Sequence, residues 1–158
     1  MSLAADVPIT DPSANVARRR WMGILARASR AEIASLLQAD PSLPAHRRLR
    51  GPETGLVMAR GRQGGDGAPF NFGEMTITRC SVVLDDGTTG HAYVAGRDAG
   101  QAELAAILDA ALQDPERQAW LLAAVIEPLA GAQAARAGTV AAKAAATRVQ
   151  FFTMATMR

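Results

Sequence analysis

From residue 73 to residue 84 side-chain character alternates, and this stretch restricts the fold more than any other. Thr76, Thr78, Cys80, Val82 and Leu84 fall on one face of an extended strand. Asp85-Asp86-Gly87 follows at once. This is a hairpin signal, because Asp and Gly accept the backbone angles that a tight turn demands. His91-Ala92-Tyr93-Val94 then supplies the return strand. Upstream, 46–50 and 54–62 read as short strands separated by Gly51-Pro52, and Gln63-Gly64-Gly65-Asp66-Gly67 reads as a flexible turn. The middle of the chain therefore predicts a mainly antiparallel sheet of about four strands.

Both flanks change to helical period, which makes the class α+β, with the sheet packed against N-terminal and C-terminal helices. Asp11-Pro12 reads as an N-cap with proline at the first helical position, and Ala17, Trp21, Ile24, Leu25 and Ala28 recur at helical spacing over 13–28. Ser29 with Glu32 forms a capping box for a second helix, closed by Asp40-Pro41. Asp98 with Gln101 caps a third, with a stripe of Leu104, Ile107, Leu108, Ala111 and Leu112. Asp114-Pro115 opens a fourth, apolar around much of its circumference until Pro128. Residues 129–149 are mostly alanine, of helical length but with few large anchors. The domain is expected over 13–158, behind a flexible tail at 1–12. The tail has no basic, apolar leader pattern and no stretch is long enough to span a membrane, so the expected location is the cytoplasm.

The end of the chain is apolar where chains usually fray. An alanine-rich helix buries little area, yet it leads into Phe151, Phe152 and Met154. Those residues call for a surface, either the chain's own sheet or another protein. With Trp21 they are the candidate partner-interface residues. Self-association of the isolated chain is a further outcome open to such a terminus.

Charge is small in total, +2, but unevenly placed. Residues 1–62 hold ten Arg against five acids, 63–135 three Arg against ten acids, and 136–158 four bases with no acid. Basic ends around an acidic middle suit docking, onto a second copy or another charged chain. Arg18-Arg19-Arg20 beside Trp21 reads as a solvated helix face rather than a nucleic-acid site, because surface aromatics for base stacking are missing.

Self-sufficient chemistry finds little support. Two histidines, His46 and His91, and one cysteine, Cys80, have no metal-ligand spacing and allow no internal disulfide. Ser81 lies mid-strand without a nucleophile-elbow motif. Glu53 and Glu74 are the only acids that could pair across the sheet for acid–base work, and nothing in their spacing demands it. Asp85-Asp86 is turn chemistry. The candidate ligand or phosphate contacts are Arg60, Arg62, Gly64 and Gly65, on a loop whose glycines could turn N–H groups toward an anion, together with His91. The bland readings are a mobile loop and a satisfied or solvent-facing histidine. The loop lacks the P-loop pattern and no helix follows it.

Three blocks carry a resemblance. They are Gly51-Pro52-Glu53-Thr54-Gly55-Leu56-Val57-Met58-Ala59-Arg60, Phe70-Asn71-Phe72-Gly73-Glu74-Met75-Thr76-Ile77-Thr78-Arg79-Cys80, and Arg148-Val149-Gln150-Phe151-Phe152-Thr153-Met154. Arg20-Trp21-Met22, Asp86-Gly87-Thr88 and the stretch from Gly90 to Asp98 join them. In order and spacing they resemble the G-subunit (PhnG) family of the bacterial carbon–phosphorus lyase system, from about residue 18 to 154.

The resemblance implies a role in phosphonate breakdown for phosphorus supply, inside a core complex with the H, I and J subunits. It implies most direct contact with I. With L, the G, H and I subunits support a first step in which an alkylphosphonate displaces adenine from MgATP, giving an α-D-ribose 1-alkylphosphonate 5-triphosphate. The resemblance places nucleosidase chemistry in I and iron–sulfur, S-adenosylmethionine-dependent C–P cleavage in J. It leaves this chain as a supporting subunit with no catalytic residue, metal or cofactor of its own. The residues themselves leave a second reading, a free-standing phosphate- or nucleotide-binding module using the Arg60–Gly67 loop.

Overall fold

The computed structural model describes residues 12–37, 43–62 and 66–149. Strands β1 (His46–Arg62), β2 (Pro69–Leu84) and β3 (Thr89–Ala95) form one antiparallel sheet in the order β1-β2-β3. The β2–β3 turn is the one its residues specify. Gly87 sits at φ 88°, its N–H donates to the Leu84 carbonyl at 3.0 Å, and Asp86 Oδ1 accepts from the Thr88 N–H at 2.7 Å.

The expected pair of short strands around Gly51-Pro52 is one strand, so the sheet has three strands where about four were expected. Arg50 lies opposite Ser81 and Glu53 opposite Arg79, so Gly51 and Pro52 together face Cys80 in a bulge. Proline is tolerated there because β1 is an edge strand and the bulge needs no ladder N–H from it. The Cys80 thiol donates to the Arg50 carbonyl at 3.4 Å, and burial pushes its pKa up.

All helices lie on one face of the sheet. Thr78, Cys80, Val82 and Leu84 of β2 and Ala92 and Val94 of β3 point into the core, while His91, Tyr93 and Arg79 belong to the opposite, uncovered face. Helix α3 (Ala99–Ala111) packs directly on that core face, and its alanines let it come close. A Cβ at Gly90 would overlap the Ala106 carbonyl oxygen, so only glycine fits under the helix. The far side of α3 is covered by α1 (Pro12–Leu25) and α2 (Arg30–Leu37). Burial on nearly every side goes beyond the stripe expected for this helix, taking in Ala102, Ala105, Ala106 and Ala110 as well.

Local signals set the helix starts. Asp98 Oδ1 accepts from the Gln101 N–H at 2.8 Å, and Asp114 Oδ1 from the Glu116 N–H at 2.9 Å. At α2 the Glu32 N–H donates to Ser29 Oγ at 3.2 Å, while the Ser29 N–H donates back to Glu32 Oε2 at 2.8 Å.

Pro128 does not end the fourth helix as its sequence suggests. Helix α4 (Pro115–Leu121) runs through a π turn at Leu122–Ile126 into α5 (Glu127–Ala146). The widened turn places Pro128 at a position where its missing N–H breaks no ladder. Beyond Gln133, α5 is exposed on all sides.

Candidate functional site

The third strand is much shorter than the other two, and that difference creates the most distinctive surface of the molecule. β3 pairs with β2 only from Ile77 to Val83. Among the described residues, 69–76 of β2 have β1 as their sole strand neighbour, paired with Leu56 to Arg62. This two-stranded arm extends about 25 Å past the third strand, at about 3.4 Å per residue.

The arm is apolar on both faces. Leu56 pairs with Thr76 and Met58 with Glu74, continuing the core-facing side beyond the helices; Val57 pairs with Met75 on the other side. Between Ala59 and Arg60 the register slips by one residue, leaving Phe72 as the extra residue on β2. Its ring lies against Gly61, where a Cβ would stand 2.9 Å from it, and meets Phe70 edge-on with centroids 6.3 Å apart. Leu56 is 63% exposed and Phe72 64%; Met58, Phe70, Met75 and Val57 are exposed too. An isolated two-stranded hairpin is marginal in water, and exposed apolar surface on both faces aggravates it.

The sequence-predicted contacts do not converge. Arg60 pairs with Asn71 near the arm tip and is exposed; the Arg62 guanidinium donates to the Gly67 carbonyl at 3.5 Å. Gly64 and Gly65 lie outside the described residues. His91 is opposite Ser81, ten positions along β2 from Asn71, or about 33 Å. Its ring Nδ1 bonds Ser81 Oγ at 2.9 Å on the uncovered sheet face. Glu53 accepts from Arg79 at 3.0 Å and from Arg50 at 3.2 Å, while Glu74 stands opposite Met58, so the two carboxylates do not meet.

Trp21, expected at a partner interface, is instead in the core, 4% exposed. Its indole Nε1 donates to Asp109 Oδ1 at 2.9 Å. The same carboxylate, fully buried in α3, accepts from Arg18 at 3.1 and 2.7 Å and from the His91 backbone N–H at 2.9 Å. These bonds tie α1, α3 and β3 together, so the tryptophan is committed inside the chain. Phe151, Phe152 and Met154 lie outside the described residues.

Sequence reasoning missed the arm as a site. The signal was present in lengths: strands of 17 and 16 residues cannot both be covered by a return strand of 7. Among the described residues no three His, Cys, Asp or Glu side chains gather as a metal site, and no helix is long and apolar enough to cross a membrane.

Comparison with known proteins agrees with the resemblance. The family model for phosphonate metabolism protein PhnG matches residues 16–156. A protein of Rhizobium meliloti (strain 1021), described as alpha-D-ribose 1-methylphosphonate 5-triphosphate synthase subunit PhnG, is 44% identical over 150 residues, covering 94% of this chain and 96% of that protein. With a family match over nearly its whole length, the chain belongs to the PhnG family of phosphonate metabolism proteins.

Proposed function

We propose that this chain is a non-catalytic, cytoplasmic subunit of the synthase that makes α-D-ribose 1-alkylphosphonate 5-triphosphate from MgATP and an alkylphosphonate, and that the β1–β2 arm is its docking element. The arm carries the reading: six large apolar side chains stand exposed on a two-stranded ribbon of a kind that is marginal in water by itself. Each would contribute about 1.5–3 kcal/mol on full burial, against the cost of association. A ribbon apolar on both faces suits insertion between surfaces of a partner, with the free edge of β1 available for strand pairing. The I subunit is the partner proposed for direct contact, with H and J completing the core. Phe151, Phe152 and Met154 provide the second anchor. MgATP belongs to the assembly in this reading.

Co-purification with the I subunit tests it. Leu56→Asp combined with Phe72→Asp should weaken recovery of that subunit at least tenfold while the melting temperature of the isolated chain stays within about 3 °C, because neither side chain is in the core. Full recovery with the double variant would refute the arm as the docking element. Deleting 149–158 should also weaken assembly, and unchanged recovery would remove the terminus from the interface.

A further inference from the structure

A cleft of about 770 Å³ lies between α1 and α5, and no residue of the arm lines it. Arg19 and Arg20 of α1, Arg27 in the turn just beyond it and Arg136 of α5 form its walls, and Gly23, Ile24, Ala130, Ala134 and Ala137 its floor. The spacing explains the convergence: 19 and 23 are one turn apart on α1, 27 follows in the turn at its end, and 130, 134 and 137 share one face of α5. The space exists because the floor residues are small. A Cβ on Gly23 would meet nothing within 4 Å.

Four guanidinium groups face two carboxylates here. Arg20 is held by Glu127 at 2.8 and 2.9 Å, and Arg136 by Glu32 at 2.5 Å. Arg27 meets only the neutral Gln133 Oε1, at 3.1 Å, and Arg19 has no carboxylate partner among the described residues. From 128 to the end of the chain there is no acid at all. The surplus of positive charge lies on the α1 side, at Arg19 and Arg27, and suits an entering anion, while Arg20 and Arg136 are already fixed in position by their carboxylates.

We infer that this cleft binds an oligophosphate. Arginine forks match phosphate oxygens in pairs, and the volume lies within the range of small-ligand sites. Length decides against an acidic helical segment of another protein. On α5 the lining runs only from Ala130 to Ala137, about 10 Å at 1.5 Å per residue, shorter than the roughly 16 Å of a three-turn helix. The phosphate-bearing molecule used in the cell, the triphosphate of the synthase substrate or product, rests on the function proposed above; the binding itself does not.

Calorimetric titration of the full chain with sodium tripolyphosphate at low salt is the test. Saturable one-site binding is expected, at least tenfold tighter than for orthophosphate. Arg19→Ala with Arg27→Ala should weaken it at least tenfold, and both positions are exposed enough to leave folding intact. Gly23→Leu keeps every charge but fills the floor, and should weaken binding as much. Arg60→Ala with Arg62→Ala should leave affinity within twofold. Absence of saturable binding, equal weakening by both arginine pairs, an unaffected Gly23→Leu, or tighter binding of a glutamate-rich peptide would each overturn the inference. The titration uses the chain alone, so failure of the assembly reading leaves its outcome unchanged.

Discussion

Asp109 is an acidic residue in the most buried helix described, and its desolvation is offset only because four donors from two other elements, α1 and β3, converge on it. Replacing it with alanine leaves the Trp21 indole and the His91 N–H without a partner, while Arg18, partly exposed, regains water. Loss of a buried ion pair of this kind costs about 3 kcal/mol. Asp109→Ala should therefore lower the unfolding free energy by that amount, seen as a lower urea midpoint with an unchanged m-value, and a loss below about 1 kcal/mol would contradict the role. Gly90 is critical for the opposite reason, too little room. Gly90→Ala should lower the unfolding free energy by about 2 kcal/mol or more, since α3 must lift off β3 to admit a methyl group. The exposed pair of Arg20 and Glu127 is the contrast, because solvent competes for both groups; Arg20→Ala should leave the midpoint where it is.

Helix α2 is only eight residues long, so its capping box matters more than it would for a longer helix. The Ser29 backbone N–H, its hydroxyl and then Arg136 together hold the Glu32 carboxyl at about 2, below the usual carboxylate range. A carboxyl lowered on folding stabilises the fold above its ordinary pKa and loses that stabilisation as pH falls toward 2. Part of the acid sensitivity between pH 5 and pH 2 should thus vanish in Glu32→Gln, seen as a smaller drop in urea midpoint from pH 7 to pH 3 than in the parent chain. An identical drop would show that the contact does not titrate with folding. Elements whose starts are written in local side chains, such as α2, α3 and the β2–β3 turn, were legible in the sequence. Those whose course depends on distant residues were not. Gly51-Pro52 reads as a break until the opposite strand supplies Cys80 for a bulge, and Pro128 reads as a stop until the π turn absorbs it. Trp21 reads equally as surface or core, because its partner Asp109 is 88 positions away. The arginine cleft was illegible for the same reason: α1 and α5 are adjacent only in space.

Across the whole molecule the structure divides into a part that stabilises itself and a part that does not. The core lies between the helices and the three-stranded half of the sheet; the arm contributes none of the buried residues. Local opening free energies follow such differences, since amides in a solvated ribbon open without unfolding the core. Hydrogen exchange on the isolated chain should show the amides of Thr78, Cys80, Val82 and α3 exchanging near the global unfolding limit. Those of Leu56 to Ala59 and Gly73 to Thr76 should exchange faster by at least a hundredfold. Binding supplies what the ribbon lacks, so in the assembled complex the arm amides should slow toward the core value while the core changes little. Arm amides already as slow as the core in the isolated chain would mean that the ribbon is stable by itself, and the physical reason for assigning it to a partner would be gone. Arm amides that stay fast in the complex would mean that the partner grips elsewhere. The experiment therefore separates a docking element from a merely long hairpin, using the same atoms whose exposure raised the question.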